Sequence, residues 1–192
     1  GAKESRRPEG MQESAAQRGM RLRPTLVLAL VYLSQAEKCP SPRTRSELPN
    51  LLNCLGLVKE AVEVGVQAGV HAKNFLENWR GRRLRLVDLW GEGSSNAFYV
   101  DIANVHGAEA RRQHRLQCED RLEQSLRSGR AEVLHLESSQ AAAQMADGEL
   151  DFVYLDARHD FAGVVADIHA WWPKVRLGGI FAGHDFVDGE FP

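Results

Sequence analysis

Side chains that could move a proton or hold a cation follow two apolar runs late in the sequence. Asp156, His159 and Asp160 come just after one run, and His184 and Asp185 come after the next. Carboxylate oxygens are the ligands that Mg²⁺ prefers, and a histidine can accept a proton near neutral pH. This combination predicts a site that could activate a hydroxyl group by removing its proton.

The residues of this set have different expected roles. Asp156 and Asp185 are predicted as ligands of a divalent cation such as Mg²⁺, and His184 as either a third ligand or a second base. His159 is predicted as the catalytic base, with Asp156 as its catalytic neighbour. Asp160 is predicted to cap the helix that follows it. The alternative is that the whole set only caps that helix and binds loop amides.

A glycine-bearing turn lies earlier, where an apolar run gives way to a helical pattern. Glu63, Gly65 and Gly69 mark this turn, and Gln67 stands where a dinucleotide fingerprint has its second glycine. That glycine lets the backbone approach a pyrophosphate, so its absence favours a ligand without phosphates there. Asp88 follows Gly65 by 88 − 65 = 23 positions, close to the ~20 expected for a carboxylate that binds ribose hydroxyls. The spacing indicates a nucleoside-like ligand.

These residues need a scaffold of alternating strands and helices. Apolar runs predict five strands, at 61–66, 84–89, 131–136, 151–155 and 180–182. Helical spacing predicts helices at 70–79, 109–127, 140–145 and 161–172, and a lead-in helix near 51–58. Gly178-Gly179 is predicted as a turn, and Trp171 and Trp172 as helix–sheet packing. Such alternation predicts an α/β fold with a parallel sheet covered on both sides.

The first 49 residues are predicted to lie outside this domain, which would span 50–192. Residues 1–19 are polar and lack periodicity, which is typical of a disordered segment. From Met20, basic residues, a short apolar run and small residues match a secretory signal, and the alternative is a short apolar helix packed on the domain. The run is too short to span a membrane. Prolines in 39–49 predict an extended linker.

The overall composition gives no sign of a nucleic-acid partner. The chain has 192 residues and a formal net charge of −2, with 43% hydrophobic and 26% charged residues, so it has no excess of positive charge for a nucleic acid. Its three cysteines, Cys39, Cys54 and Cys118, form no CxxC pair. This pattern argues against a zinc knot and leaves one disulfide open.

The glycine turn and the later polar stretches together resemble a known family. Glu63-x-Gly65-x-x-x-Gly69 looks like the first motif of class I S-adenosylmethionine-dependent methyltransferases. The stretches 151–160 and 171–185 resemble a small-molecule group of that family related to metal-assisted O-methyltransferases. The resemblance extends from about residue 51 to the end of the sequence.

This resemblance implies a three-layer Rossmann-like fold and S-adenosylmethionine as the cofactor. It implies that Glu63, Gly65 and Gly69 hold the methionine end of the cofactor. Asp88 would bind the ribose, and Ser138, with its neighbours after the third strand, would flank the adenine. The family has a seven-stranded sheet that ends in an antiparallel hairpin, so the sequence, with its fifth predicted strand close to the end, is expected to be truncated relative to that fold.

The expected activity is methyl transfer to a hydroxyl of a small molecule or sugar. Two alternatives stay open: a truncated, non-catalytic domain that binds a nucleoside, and a nicotinamide-dependent oxidoreductase, which Gln67 disfavours. An unpaired sheet edge would favour a homo-oligomer. The expected compartment is the secretory pathway if Met20 is the natural start, and the cytoplasm otherwise.

Overall fold

The fold is built on one parallel sheet. The computed structural model describes residues 37–91 and 108–185. Its strands are β1 (Glu60–Val64), β2 (Arg83–Val87), β3 (Ala131–Leu134), β4 (Leu150–Leu155) and β5 (Val175–Gly183). They lie in the order β3-β2-β1-β4-β5, and every neighbouring pair is parallel. The predicted α/β fold with a parallel sheet is therefore confirmed. The chain adds β2 and β3 on one side of β1 and then crosses over to add β4 and β5 on the other side.

Helices connect the strands within the described ranges. They are α1 (Leu48–Cys54), α2 (Val70–Asn78), α3 (Ala108–Arg121), α4 (Glu123–Arg127), α5 (Ser138–Ala143) and α6 (Phe161–Trp171). Short 3-10 turns occupy Arg45–Glu47 and Trp172–Lys174. The predicted lead-in helix corresponds to α1, which has a proline in its first turn, where the missing N–H leaves no hydrogen bond unmade.

Alternate side chains along the strands enter two separate cores, one on each face of the sheet. Phe152 of β4 packs in one core with Phe75 and Trp79 from the region of α2, whereas Val153 packs in the other core with Trp171 of α6. All five side chains are almost fully buried. Each such burial contributes about 1.5–3 kcal/mol relative to exposure, so the sheet is held between two helical layers.

The N-terminus of α6 is fixed by the cap that the sequence predicts. Asp160 has extended backbone angles, and its Oδ1 accepts a hydrogen bond of 2.9 Å from the amide of Gly163. The same carboxylate accepts two hydrogen bonds from Arg158, of 2.8 and 2.9 Å. The capping role of Asp160 is therefore confirmed.

Most predicted boundaries differ from the structure by a few residues, and two predicted elements differ in kind. Gly178-Gly179 is not a turn before the fifth strand but lies inside β5, where the register shifts from Leu150 opposite Val175 to Phe152 opposite Ile180. Gly178 has a φ of +81°, a conformation that favours glycine, so this stretch is an irregularity in a longer strand. The predicted helix 109–127 is divided into two helices at Leu122, because the backbone of this residue leaves helical geometry. The side chain of Leu122 is buried.

The two adjacent tryptophans of α6 and its end have different environments. Trp171 is fully buried, as predicted, but Trp172 is 65% exposed. The ring of Trp172 nevertheless lies against the ring of Phe181 on β5, with 5.6 Å between the ring centroids. Both tryptophans therefore pack on the sheet as predicted, although Trp172 keeps most of its surface exposed.

The segment before α1 is more structured than an extended linker. It contains the Arg45–Glu47 turn, and a disulfide joins Cys39 to Cys54 at the end of α1. The disulfide that the cysteine count left open is therefore present, and Cys118 is a buried free thiol. The predicted domain boundary between residues 49 and 50 stays a prediction.

Several predictions lie outside the described residues. These are the disordered and signal-like segments before residue 37 and the part of the predicted domain after Asp185, and residues 92–107 also lie outside the description. Within the described ranges, no helix combines the length and apolar character needed to cross a membrane.

Candidate functional site

The turn after β1 places its backbone directly against the end of β4. Gly65 has a φ of +87°, and a Cβ at this position would overlap the carbonyl oxygen of Asp156. Gly69 has a φ of +72° and precedes α2, and a Cβ there would lie 2.8 Å from Sγ of Cys118. Both glycines are therefore required by backbone conformation and by close packing. Gly65 therefore brings the glycine turn into direct contact with the backbone of Asp156.

Asp88 closes the glycine turn from the end of β2. Its Oδ2 accepts hydrogen bonds of 2.9 Å from the amides of both Val66 and Gln67, and its Oδ1 accepts one of 2.8 Å from the amide of Trp90. A carboxylate has about four acceptor positions, so three are used within the chain. The ribose contact predicted for Asp88 stays a prediction, and the structure adds a role in holding the turn.

Trp90 is part of this arrangement, although no motif in the sequence points to it. Its indole Nε1 donates a hydrogen bond of 2.8 Å to the carbonyl of Gln67, and the residue is only 3% exposed. Trp90 has a φ of +44°, which is unusual for a bulky residue. The turn is therefore clamped by Asp88 through its amides and by Trp90 through its carbonyl.

Glu63 lies beneath the turn in a buried position. Its Oε2 lies 3.3 Å from Nδ1 of His71 on α2, but without the geometry of a hydrogen bond. The imidazole of His71 in turn lies against the ring of Tyr154, with 4.6 Å between ring centroids. Burial raises the pKa of the Glu63 carboxyl, although the nearby His71 lowers it in part. Glu63 thus has a buried oxygen that could receive a hydrogen bond from a ligand.

The predicted polar cluster forms at the carboxyl ends of β4 and β5, which are neighbours in the sheet. The amide of His184 donates a hydrogen bond of 2.9 Å to the carbonyl of Leu155, and this bond brings the two strand ends together. Nδ1 of His184 lies 2.6 Å from Asp185 and 3.6 Å from Asp156. His159 lies between the same two acids, with Nε2 3.5 Å from Asp156 and Nδ1 3.4 Å from Asp185. All four predicted residues therefore share one site.

The geometry of the cluster suits a divalent cation. One ligand atom each from Asp156, His184 and Asp185 lie within 4.8 Å of one another. Two carboxylates and an imidazole form a donor set that transition metals such as Mn²⁺ accept, and Mg²⁺ accepts the oxygens more readily than the nitrogen. The metal roles of these residues stay predictions.

The electrostatics of Asp156 reflect both burial and its neighbours. Burial raises the pKa of its carboxyl, whereas His184, Arg45 and His159 act to lower it and Asp185 acts to raise it. The net direction is upward, so the ionised form is less stable here than in water. This position therefore favours any cation that can compensate the charge.

Arg45 is a residue of this site that the sequence analysis missed. Its guanidinium NH1 lies 3.0 Å from Oδ2 of Asp156, and the two residues are 111 positions apart. No local motif links residues so far apart, because the contact forms only when the chain before α1 folds back over the carboxyl end of the sheet. The arginine adds a permanent positive charge beside the acids.

Ser138 begins α5, but its hydroxyl is already engaged. It donates a hydrogen bond of 2.5 Å to Asp167 and accepts one of 2.8 Å from the indole Nε1 of Trp171. Burial raises the pKa of Asp167, and the hydrogen bond from Ser138 offsets part of that effect. The adenine contact predicted for Ser138 stays a prediction, with its backbone as the available part.

Comparison with known proteins identifies the domain type. Residues 62–186 match the model of a family described as a methyltransferase domain. The range includes the glycine turn, Asp88, Ser138 and the polar cluster, so all the predicted site residues lie within the matched region.

Solved structures with a similar fold include O-methyltransferases. One is an O-methyltransferase from Bacillus cereus in complex with SAH, with a TM-score of 0.51 and 17% identity over 85% of this chain and 67% of that one. Another, from Staphylococcus aureus, is described as a candidate caffeoyl-CoA O-methyltransferase, with a TM-score of 0.52 and 11% identity over 82% of this chain and 65% of that one. At these identities the likeness shows the Rossmann-like methyltransferase fold.

The chain spans about two thirds of the length of these structures. No curated protein matches its sequence. The identity of a methyl acceptor therefore has to be inferred from the residues of the site.

Proposed function

The chain belongs to the methyltransferase-domain family, and from that premise we propose that it transfers the methyl group of S-adenosylmethionine to a hydroxyl of a small molecule or sugar. The observation that carries this proposal is the contact between Gly65 and Asp156. It sets the cluster of two acids and two histidines beside the turn that the resemblance assigns to the cofactor. A cofactor methyl group and an acceptor hydroxyl could therefore meet at this edge of the sheet.

The proposed reaction is an in-line displacement. The acceptor hydroxyl gives its proton to His159, its oxygen attacks the methyl carbon, and the carbon–sulfur bond breaks with its electron pair passing to sulfur. The products are a methyl ether and S-adenosylhomocysteine. His159 lies 3.5 Å from Asp156 and 3.4 Å from Asp185, so the imidazolium that forms faces two carboxylates. This arrangement supports His159 as the base.

A divalent cation is a further part of the proposal. Asp156, His184 and Asp185 would hold it, since their ligand atoms lie within 4.8 Å of one another. Such an ion would supply a positive charge that makes an acceptor hydroxyl easier to deprotonate. The imidazole in the set favours Mn²⁺ or a similar metal over Mg²⁺, which prefers oxygen ligands.

The cofactor pocket is proposed from Glu63, Gly65, Gly69, Asp88 and Ser138. Glu63 supports this choice, because its buried Oε2 has no hydrogen bond among the described residues and could accept one from the cofactor ammonium group. Asp88 retains about one of its four acceptor positions for a ribose hydroxyl. The glycines let the turn adopt positive φ angles and pack closely against Asp156 and Cys118.

A second candidate, a non-catalytic nucleoside-binding domain, has its own support. The carboxylate of Asp88 is bonded to the turn, and the hydroxyl of Ser138 is bonded to Asp167. Both groups act structurally in the free protein, so the site need not turn over a substrate. Under this alternative the chain would bind S-adenosylhomocysteine but transfer no methyl group.

The test separates binding from turnover. S-adenosylhomocysteine is titrated calorimetrically into the full chain, the Asp88→Ala variant and the control Asp147→Ala, an exposed acid that pairs with Lys174. We expect Asp88→Ala to weaken binding by about tenfold and the control to bind normally. Transfer of labelled methyl from S-adenosylmethionine is then measured on catechols, flavonoids and hexoses.

The outcomes discriminate the two candidates. Binding with methyl transfer to at least one hydroxylated compound supports the enzyme. Binding without transfer to any compound favours the non-catalytic domain. A folded chain that binds no S-adenosylhomocysteine contradicts both.

The compartment and assembly are also proposals. The Cys39–Cys54 disulfide supports the secretory alternative, because such bonds persist mainly in oxidising compartments. β5 lies at one edge of the sheet in the described part of the chain, which supports association through that edge. Light scattering of the purified chain tests the second point.

A further inference from the structure

A disulfide-closed arm lies beside the polar cluster. We define the arm as residues 39–47, between the disulfide cysteine Cys39 and the start of α1. The bridge to Cys54 ties the arm to α1, which is itself anchored by the fully buried Leu52. Most of the arm is exposed, so apolar burial contributes little to holding it in place. The bridge therefore adds a second covalent link to α1, beside the backbone that runs from Glu47 into Leu48.

The arm carries Arg45 to one side of the Asp156 carboxylate. NH1 of Arg45 lies 3.0 Å from Oδ2, whereas Oδ1 faces the two histidines at 3.5 and 3.6 Å. Arg45 also interacts with the hydroxyl of Tyr154, which precedes Asp156 on β4 by two positions. The two oxygens of Asp156 therefore have different partners, an arginine on one side and the candidate cation site on the other.

This division has a consequence for any cation in the cluster. A metal that binds Asp156 through Oδ1 shares that carboxylate with a guanidinium whose charge is permanent. The two positive charges repel across a few ångströms in a partly buried site, where screening by water is incomplete. Asp156 consequently offers the metal less negative charge than an unpaired carboxylate would.

On the basis of the proposed metal site, we propose that Arg45 is a built-in counter-cation of Asp156 that weakens divalent binding, and that the Cys39–Cys54 bridge holds it there. Arg45 is a positioning residue in this arrangement, since it acts through Asp156. Opening the bridge would free the arm and let the cluster bind a cation more tightly. The affinity of the site for metal would thus depend on the state of a disulfide that contributes no ligand.

The test measures Mn²⁺ binding to the full, oxidised chain by electron paramagnetic resonance. We expect Arg45→Gln to bind Mn²⁺ about tenfold more tightly than the wild type, and Arg45→Lys to lie between the two. Cys39→Ser should change the affinity in the same direction. In the Arg45→Gln background, Cys39→Ser should add no further change, because the charge that the bridge positions is already gone.

Two further variants serve as controls. Arg43→Gln removes the same charge from the same arm, but the contact recorded for Arg43 is a backbone hydrogen bond to Glu47, so its Mn²⁺ affinity should match the wild type. Asp156→Asn should abolish the gain in every background. Circular dichroism establishes that each variant is folded.

Equal affinities in Arg45→Gln and Arg43→Gln overturn the proposal, as does weaker binding in Arg45→Gln. Mn²⁺ binding that survives Asp156→Asn, or that is undetectable in every chain, overturns it too. S-adenosylhomocysteine titration on the same samples reports separately on the proposed function, because a chain that binds Mn²⁺ as expected but no S-adenosylhomocysteine refutes the enzyme and leaves the role of Arg45 standing.

Discussion

At the amino ends of β1 and β4, acids pair with arginines, whereas at the carboxyl ends of the same strands acids face histidines, and Asp156 is shared between histidines and Arg45. Glu60 begins β1 and lies 3.1 Å from both Arg83 and Arg85. Asp151, fully buried near the start of β4, lies 2.5 Å from Arg176. Glu63, three positions after Glu60, lies near His71. Asp156, just after the end of β4, lies near His159 and His184 as well as Arg45.

This difference indicates that the acids at the amino end stabilise the fold, whereas the acids at the carboxyl end can take part in proton transfer. An arginine stays charged at every pH a protein experiences, so it neutralises a buried acid without ever exchanging a proton. A histidine gains and loses a proton near neutral pH, so the acids beside it lie in a site that can take part in proton transfer. One sheet therefore carries a fixed ionic network at one end and a titratable cluster at the other.

The pKa values of three acids, Glu149, Glu63 and Asp156, differ between the two ends of the sheet. At the amino end, burial alone would raise the pKa of Glu149, but a hydrogen bond from the amide of Ala146 and the charge of Arg85 lower it overall. At the carboxyl end, burial raises the pKa of both Glu63 and Asp156, and their neighbours only partly offset it. Ionisation thus stabilises the fold at one end and opposes it at the other.

The largest expected effect is on stability, at the amino end. Asp151→Asn should lower the free energy of unfolding by about 3 kcal/mol, because Asp151 also accepts a hydrogen bond of 2.6 Å from the amide of Lys59. Binding of S-adenosylhomocysteine by the folded fraction should be unchanged. Urea denaturation measures the first quantity and calorimetry the second. An Asp151→Asn variant that is as stable as the wild type but does not bind S-adenosylhomocysteine would contradict the proposed difference between the two ends of the sheet.

The same substitution five residues later should have the opposite signature. Asp156→Asn should reduce kcat/KM for methyl transfer by about a hundredfold, because it removes a carboxylate from the cluster. Its free energy of unfolding should change by less than about 1 kcal/mol, since the side chain is partly exposed. Steady-state kinetics and urea denaturation on the matched pair test this, and a stability loss equal to that of Asp151→Asn would contradict it.

The smallest expected effect is a change in pH dependence. The raised pKa of Glu63 means that the folded wild type loses stability as the pH rises through 4.5, the ordinary value of a glutamate, and up to its higher folded pKa. Glu63→Gln should remove that loss and be more stable at pH 7 by about 1 kcal/mol, with weaker cofactor binding.

Glu149→Gln is the matched control at the other end of the sheet. The lowered pKa of Glu149 stabilises the fold above pH 4.5 and loses that contribution as the pH falls through its folded value. Its removal should cost less than about 1 kcal/mol near neutral pH. Thermal unfolding from pH 3 to pH 8 compares both variants, and parallel curves would show that the two ends do not differ.

The sequence predicts well what depends on local pattern. Apolar runs and glycines located the strands and the turn at Gly65, and the rule that ligands lie at the carboxyl ends of parallel strands brought Asp156, His159, His184 and Asp185 into one site. That prediction succeeds because β4 and β5 are neighbours, so residues that follow them must converge.

The sequence does not predict contacts that depend on tertiary folding. Arg45 reaches Asp156 only because the segment before α1 lies over the end of β4, and His71 meets Glu63 only because α2 packs above β1. The hydrogen bonds of Asp88 with the turn depend on the position of β2 beside β1. Gly178-Gly179 has the composition of a turn, and only the pairing with β4 shows that the strand continues through it.

The contact of Gly65 with the Asp156 backbone also bears on how such a protein could change over time or be redesigned. Because no side chain fits between the two segments, a shift in either one displaces the other. Substitutions that adapt the cluster to a new acceptor are therefore restricted to side chains, since insertions or deletions after β4 would disturb the turn as well. A graft that aims to move this activity onto another scaffold would have to transfer both segments as one part.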